Sequence, residues 1–172
     1  MDLTDLIKRQ DRIQRTDIKE FTLEVIKRTP ERAWKAPSSR DHHSLEERGE
    51  WGNLIHSIRV VDTAWILADI FALGSLDRDV LHSAASLHDI GKRGVDGKGI
   101  RIVSNHPQLV RVMVENMDLT CEYKEQILFT IEKHMGRWGR QPTVFYGKVV
   151  DIAMLLHIAD CIEARWTEVV PE

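Results

Sequence analysis

Six side chains in this sequence have the types and placement to do chemistry. His88 and Asp89 stand side by side in LHDIGK, and Lys92 follows at once. Gly91, Gly94, Gly97 and Gly99 then open the chain into loop. His56 lies in GNLIHSIRV, His106 in SNHPQLV, His134 in IEKHMGRWG and Asp160 in HIADCIEAR. Imidazoles and carboxylates converging from separate segments are what a transition-metal site needs. The competing reading is local: a His-Asp pair hydrogen-bonds the end of its helix, and each histidine is a satisfied core residue. Taken singly, each favours the core reading. Together they favour a metal, because several buried carboxylates without a cation would repel one another and unpaired buried polar groups are costly.

The elements that must position these residues read as helices. Leu3, Leu6, Ile7, Ile13, Ile18, Phe21, Val25 and Ile26 stand mostly three to five residues apart, which predicts one bent helix or two short ones ended by Pro30. RTPERAWKAPSSRDHHSLEERGEWGN reads as an ordered loop with at most a short helix, and loops this long are often functional. Asn53 is placed to cap a helix running to Gly74, and Asp77 one that runs through His88-Asp89 to Gly91. Ser104 or Asn105 would cap the next, with Pro107 in its first turn. Thr120 would cap another, GRWGRQPTVFYG is a loop, and KVVDIAMLLHIADCIEARW is the last long helix. No strand pattern or repeat interrupts this, so the fold class is all-α, one domain of about six or seven helices.

The chain of 172 residues suits one domain with a real core. A net charge of −3, with 30% charged and 42% hydrophobic residues, describes a soluble globular protein. It argues against an electrostatic grip on long duplex DNA but leaves room for a local basic pocket. MDLTDLIKRQDRIQ carries acids and no apolar core, which is not a secretion signal, and no apolar run reaches membrane-span length. A cytoplasmic location is expected. Cys121 and Cys161 lie far apart in apolar contexts and read as buried thiols.

The order His56, then His88-Asp89 within HDIGK, then Asp160 within HIADCIEAR resembles the HD-domain superfamily of metal-dependent phosphohydrolases. The likeness runs from about residue 40 to 166. On it the whole chain, 1–172, is one HD domain, a helical bundle with its metal-binding core at about 50–166 and a helical and loop extension over 1–50. His106, in its HP element, and His134 make the pattern similar to the dinuclear subgroup. That subgroup includes cyclic-dinucleotide phosphodiesterases of the HD-GYP type and HD-type 3′→5′ exoribonucleases. Met135 stands where several relatives have a second histidine, and the Gly-Tyr-Pro motif is missing, so a cyclic di-GMP specialist is not expected.

The resemblance implies two divalent transition metals, drawn from Mn, Fe, Co, Ni or Zn. Asp89 would bridge them, with His56, His88 and Asp160 on one and His106 and His134 on the other. Such a pair neutralises phosphate oxygens and lowers the pKa of water toward 7, so that a bridging hydroxide attacks phosphorus in line. Lys92 would meet a phosphate oxygen or that water; its local alternative is a partner for the helix dipole. Arg137 and Arg140 around Trp138 suit gripping phosphate and stacking a base, or packing with solvated arginines. Arg59, nearly one turn on from His56, is placed to face the site, and Asp62 reads as a structural partner. His42 and His43 fall at the mouth of the site or form a solvated loop pair. His82 and His157 read as core contacts or supports behind the ligands.

The implied activity is phosphodiester cleavage in a nucleotide or short oligonucleotide. The alternatives are a nucleotide phosphomonoesterase or triphosphohydrolase, a nucleotide-binding module that does not hydrolyse, and a helical scaffold. No membrane partner is expected. Helical HD proteins often pair, so a homodimer is compatible, although no apolar stripe marks an interface.

Overall fold

The computed structural model describes residues 1–38, 43–136 and 151–165. Among them are eight α-helices, two short 3-10 turns and no strand. The helices are α1 (Thr4–Arg9), α2 (Thr16–Arg28), α3 (Glu31–Lys35), α4 (Gly52–Ile70), α5 (Ser75–Leu87), α6 (His106–Asn116), α7 (Lys124–Lys133) and α8 (Ile152–Arg165). The all-α class holds. The count is one above the expected six or seven: α1 and α2 are the two short helices allowed before Pro30, and α3, five residues long, is the short helix allowed in the loop that follows.

α5 is the central element. It packs against α2, α4, α7 and α8, and every residue from Asp79 to Leu87 is buried. A helix surrounded on all sides needs small or apolar residues all round. Ser83, Ala84, Ala85 and Ser86 meet that need, and their hydroxyls are satisfied. Ser83 Oγ shares a 2.7 Å hydrogen bond with Thr22 Oγ1 of α2, while Ser86 Oγ donates to the His82 carbonyl and accepts from Gln10 Nε2. Around it Leu54, Leu87, Ile90, Leu128, Ile131 and Leu155 are completely buried, each contributing about 1.5–3 kcal/mol of transfer free energy.

α2 is capped across the fold. The carboxylate of Asp79, on α5, accepts the backbone amides of Gln14 and Arg15 at 3.0 and 2.8 Å. These amides flank the start of α2, where donors lack helical partners. The predicted local caps fare differently. Trp51, in the left-handed region at φ 70°, occupies the cap position of α4. Asn53 instead lies inside the helix and donates through Nδ2 to the carbonyls of Ala33 and Asp89, both at 3.1 Å. Asp77 sits in the first turn of α5, which starts at Ser75. Asn105 holds the cap position of α6 without a side-chain bond, with Pro107 in the first turn as expected. α7 starts at Lys124, four residues after Thr120.

α5 stops at Leu87, so His88 and Asp89 lie in the turn beyond it, not on the helix that was expected to continue to Gly91. Hydrogen bonds from Lys92 N to the Asp89 carbonyl and from Gly94 N to the Gly91 carbonyl fold this turn tightly. Its glycine is sterically required. A Cβ on Gly91 would lie 2.6 Å from the His106 carbonyl oxygen, so the turn rests directly on the start of α6. The loop before α4 is ordered where described: Ser38 N donates to the Glu47 carbonyl and Trp51 N to the Lys35 carbonyl. Cys121 and Cys161 are half-buried rather than buried. No helix among the described residues is long and apolar enough to cross a membrane.

Candidate metal centre

Five segments deliver the six predicted donors to one place. His56 comes from α4, His88 and Asp89 from the turn after α5, His106 from the first residue of α6, His134 from the end of α7, and Asp160 from α8. The carboxylate of Asp89 is the hub. Its Oδ2 lies 3.5 Å from His88 Nε2 and 3.7 Å from His56 Nε2. Its Oδ1 lies 3.0 Å from His106 Nε2 and 4.0 Å from His134 Nε2. Asp160 Oδ1 closes the first side, 3.0 Å from His56 Nε2 and 3.9 Å from His88 Nε2. The donor atoms of His56, His88 and Asp160, and those of His88, Asp89 and His134, lie close enough for each trio to hold an ion.

Local backbone geometry sets which ring nitrogen faces inward. His88, His106 and His134 each place Nδ1 on the carbonyl three residues earlier: Ala85 at 2.8 Å, Val103 at 3.0 Å and Ile131 at 2.6 Å. A carbonyl accepts only, so the proton sits on Nδ1 and the Nε2 lone pair points into the cluster. Three features then call for a cation. His88 Nε2 is fully buried with no hydrogen-bond partner among the described residues. His106 and His134 bring two Nε2 atoms to 3.4 Å. Asp89 and Asp160 are both carboxylates in a buried cluster, Asp160 keeping one-fifth of its side chain exposed. The donor set fits divalent metal with mixed imidazole and carboxylate ligation.

The electrostatics agree. Burial pushes His88 below its ordinary pKa, and burial together with the neighbouring His88 and His106 takes His134 down to about 3. Both rings are thus neutral and fit to ligate. Burial would also lower His56, but Asp160 and Glu47 outweigh it and raise the group to about 9. A positive charge is favoured at that spot. Burial would raise Asp89, but Lys92 and the surrounding histidines hold it well below the usual carboxylate range. Asp160 is held low in the same way, chiefly by His56 against burial.

Lys92 is buried and donates to Asp89 Oδ2 at 2.5 Å. Arg59 donates to Glu47 Oε1 at 2.6 Å, to Ser44 Oγ and to Glu46. Asp62 is a structural partner as read, pairing with Arg9 and Arg12. His43 is not solvated: it is 4% exposed, with Nδ1 2.6 Å from Glu47 Oε2. His157 Nδ1 lies 2.6 Å from the His134 carbonyl and so supports that turn. His82 is buried edge-on against Trp65. His42, Arg137, Trp138 and Arg140 lie outside the described residues. Sequence reasoning missed Glu47, completely buried beside His56, and the tie from Asn53 to Asp89. Neither spacing nor motif marks them, since Glu47 sits in a charged loop segment and Asn53 resembles an ordinary cap.

No curated protein and no solved structure matched the chain. The HD domain family model matches residues 53–165, which hold all six donors and the turn that carries Lys92. With that span and this cluster of buried imidazoles and carboxylates, the chain belongs to the HD domain family, whose members are metal-dependent phosphohydrolases.

Proposed function

We propose that the protein hydrolyses phosphodiester bonds in a nucleotide or short oligonucleotide, with two divalent metals held by the six donors. The observation that carries this reading is the division of Asp89. One carboxylate oxygen faces His56 and His88, with Asp160 behind them, and the other faces His106 and His134. A carboxylate shared between two groups of donors suits a dinuclear centre, which these residues would hold. Divalent ions bound there would supply charge neutralisation of phosphate oxygens and an activated water.

The chain's own residues do the rest. The Nδ1–H···O=C bonds of His88, His106 and His134 hold the rings so that Nε2 stays available. Asn53 holds the Asp89 backbone, and Lys92 holds its carboxylate. Lys92 is proposed to meet a phosphate oxygen, an incoming phosphate competing with Asp89 for its ammonium. Arg137, Trp138 and Arg140 follow His134 in sequence and are proposed to grip phosphate and stack a base. Arg59 is proposed to meet substrate beside its contact with Glu47.

The test is product analysis with Mn²⁺ on a linear dinucleotide, a short RNA, a cyclic dinucleotide, a nucleoside monophosphate and a nucleoside triphosphate, with Asp89→Asn alongside. Mononucleotide products, absent with the variant, are expected. Release of inorganic phosphate would transfer the assignment to a phosphomonoesterase. Loss of pyrophosphate or triphosphate from the nucleoside triphosphate would make it a triphosphohydrolase. Binding without turnover would make it a nucleotide-binding module.

A further inference from the structure

His56 differs from the other three histidines of the cluster in where its backbone lies. His88, His106 and His134 stand at helix ends, where Nδ1 reaches a carbonyl three residues back. His56 lies inside α4, where carbonyls are committed to amides one turn ahead. The Asn53 carbonyl, three residues back, also accepts from Ser57 Oγ at 2.8 Å. His56 Nδ1 is buried and makes no hydrogen bond among the described residues, within its helix or outside it. The acceptor facing it is Glu47 Oε2, 3.5 Å away.

Glu47 is built into that position. Its side chain is completely buried, and a buried carboxylate persists only when paired. Arg59 Nη1 meets Oε1 at 2.6 Å, and His43 Nδ1 meets Oε2 at 2.6 Å. The turn that carries Glu47 lies against the first residue of α4: a Cβ on Gly52 would stand 1.8 Å from the Glu47 carbonyl oxygen. Arg59 is on the same helix as His56, so α4 orients both the imidazole and the guanidinium that holds its acid.

We infer that Glu47 is the positioning residue for His56, its carboxylate accepting the Nδ1 proton so that Nε2 faces Asp89 and Asp160 as a metal donor. Such an acid behind a ligating imidazole fixes the tautomer and strengthens the donor nitrogen. The inference rests on the reading of His56 as a metal ligand. It also separates Glu47 from a direct ligand role, although His43, Glu47 and His56 bring donor atoms close enough for one ion.

The experiment loads metal-free protein with Co²⁺ and reads bound ions per chain, the cobalt absorption spectrum and the dissociation constants by chelator competition. Glu47→Gln, Glu47→Ala and His56→Ala are compared with the wild type, each checked by circular dichroism and thermal unfolding. Glu47→Ala should bind as many ions as the wild type at saturation, with one site weakened by about ten- to a hundredfold. Glu47→Gln keeps an acceptor oxygen and nearly the same shape; it should weaken binding less, and it carries the test if Glu47→Ala does not fold. Wild-type affinity in both Glu47 variants, with binding weakened in His56→Ala, would overturn the inference alone. Loss of one ion per chain in the Glu47 variants would also overturn it, by making Glu47 a ligand. Unchanged affinity in His56→Ala would overturn the reading of His56 on which it rests.

Discussion

Replacing Asp89 by asparagine tests the electrostatic core of the site even without metal. Lys92 is 7% exposed, and its ammonium meets Asp89 Oδ2 at 2.5 Å. Removing one partner of such a pair leaves a buried charge uncompensated, which costs about 3–5 kcal/mol. Asparagine keeps one acceptor oxygen, so the lower end applies, about 3 kcal/mol. For a chain of this length each kcal/mol moves the melting temperature by about 2–4 °C, so metal-free Asp89→Asn should melt about 6–12 °C below metal-free wild type. The companion Lys92→Met removes the stranded ammonium. The double variant should therefore recover most of the loss, giving a coupling of about 2–3 kcal/mol in a double-mutant cycle. The assay is urea denaturation of chelator-treated protein at neutral pH, with metal content measured after reloading. Both Asp89 variants should fail to hold a metal pair whatever their stability. Additive losses in the cycle would show that Lys92 does not depend on Asp89. Two tightly bound ions in Asp89→Asn would refute the bridge.

Asp79→Ala should lose about 1–3 kcal/mol in denaturant unfolding with metal binding unchanged, because two amides at the start of α2 lose their buried acceptor. Burial, with the nearby Arg12 charge, lowers His82 to about 4, and neither ring nitrogen has a hydrogen-bond partner among the described residues. The unfolded chain takes up the proton first, so stability should fall as pH drops from about 6.5 toward 4, by up to about 3 kcal/mol from this group. His82→Leu should flatten that part of a stability–pH profile, and an unchanged slope would show that the group titrates normally. Gly91→Ala would press a methyl group to 2.6 Å from the His106 carbonyl oxygen. It should cost about 1–3 kcal/mol and weaken binding of the ion assigned to His106 and His134; calorimetric titration with Mn²⁺ checks this.

The helical class and the six candidate donors are legible in the sequence alone. Apolar spacing is a local property, so Ile18, Phe21 and Val25 mark a helix face without knowledge of the rest. The same holds for the order His56, His88-Asp89, Asp160 and for Pro107 at a helix start. Tertiary structure decided everything that depends on approach between segments. Asn53 looks like a cap, but it ties the Ala33 and Asp89 carbonyls because α3 and the turn after α5 converge on its helix. Asp79 reads as one acid among several, yet it caps α2 from the neighbouring helix. HDIGK reads as helix by its apolar approach, but contact between Gly91 and α6 stops the helix at Leu87 and turns Asp89 toward four imidazoles. Glu47 had no signal at all, since its burial beside His56 is made by a loop folding back on α4. Periodicity records which face of a segment is buried; it does not record what it is buried against, and the division of Asp89 between two histidine pairs is a fact of that second kind.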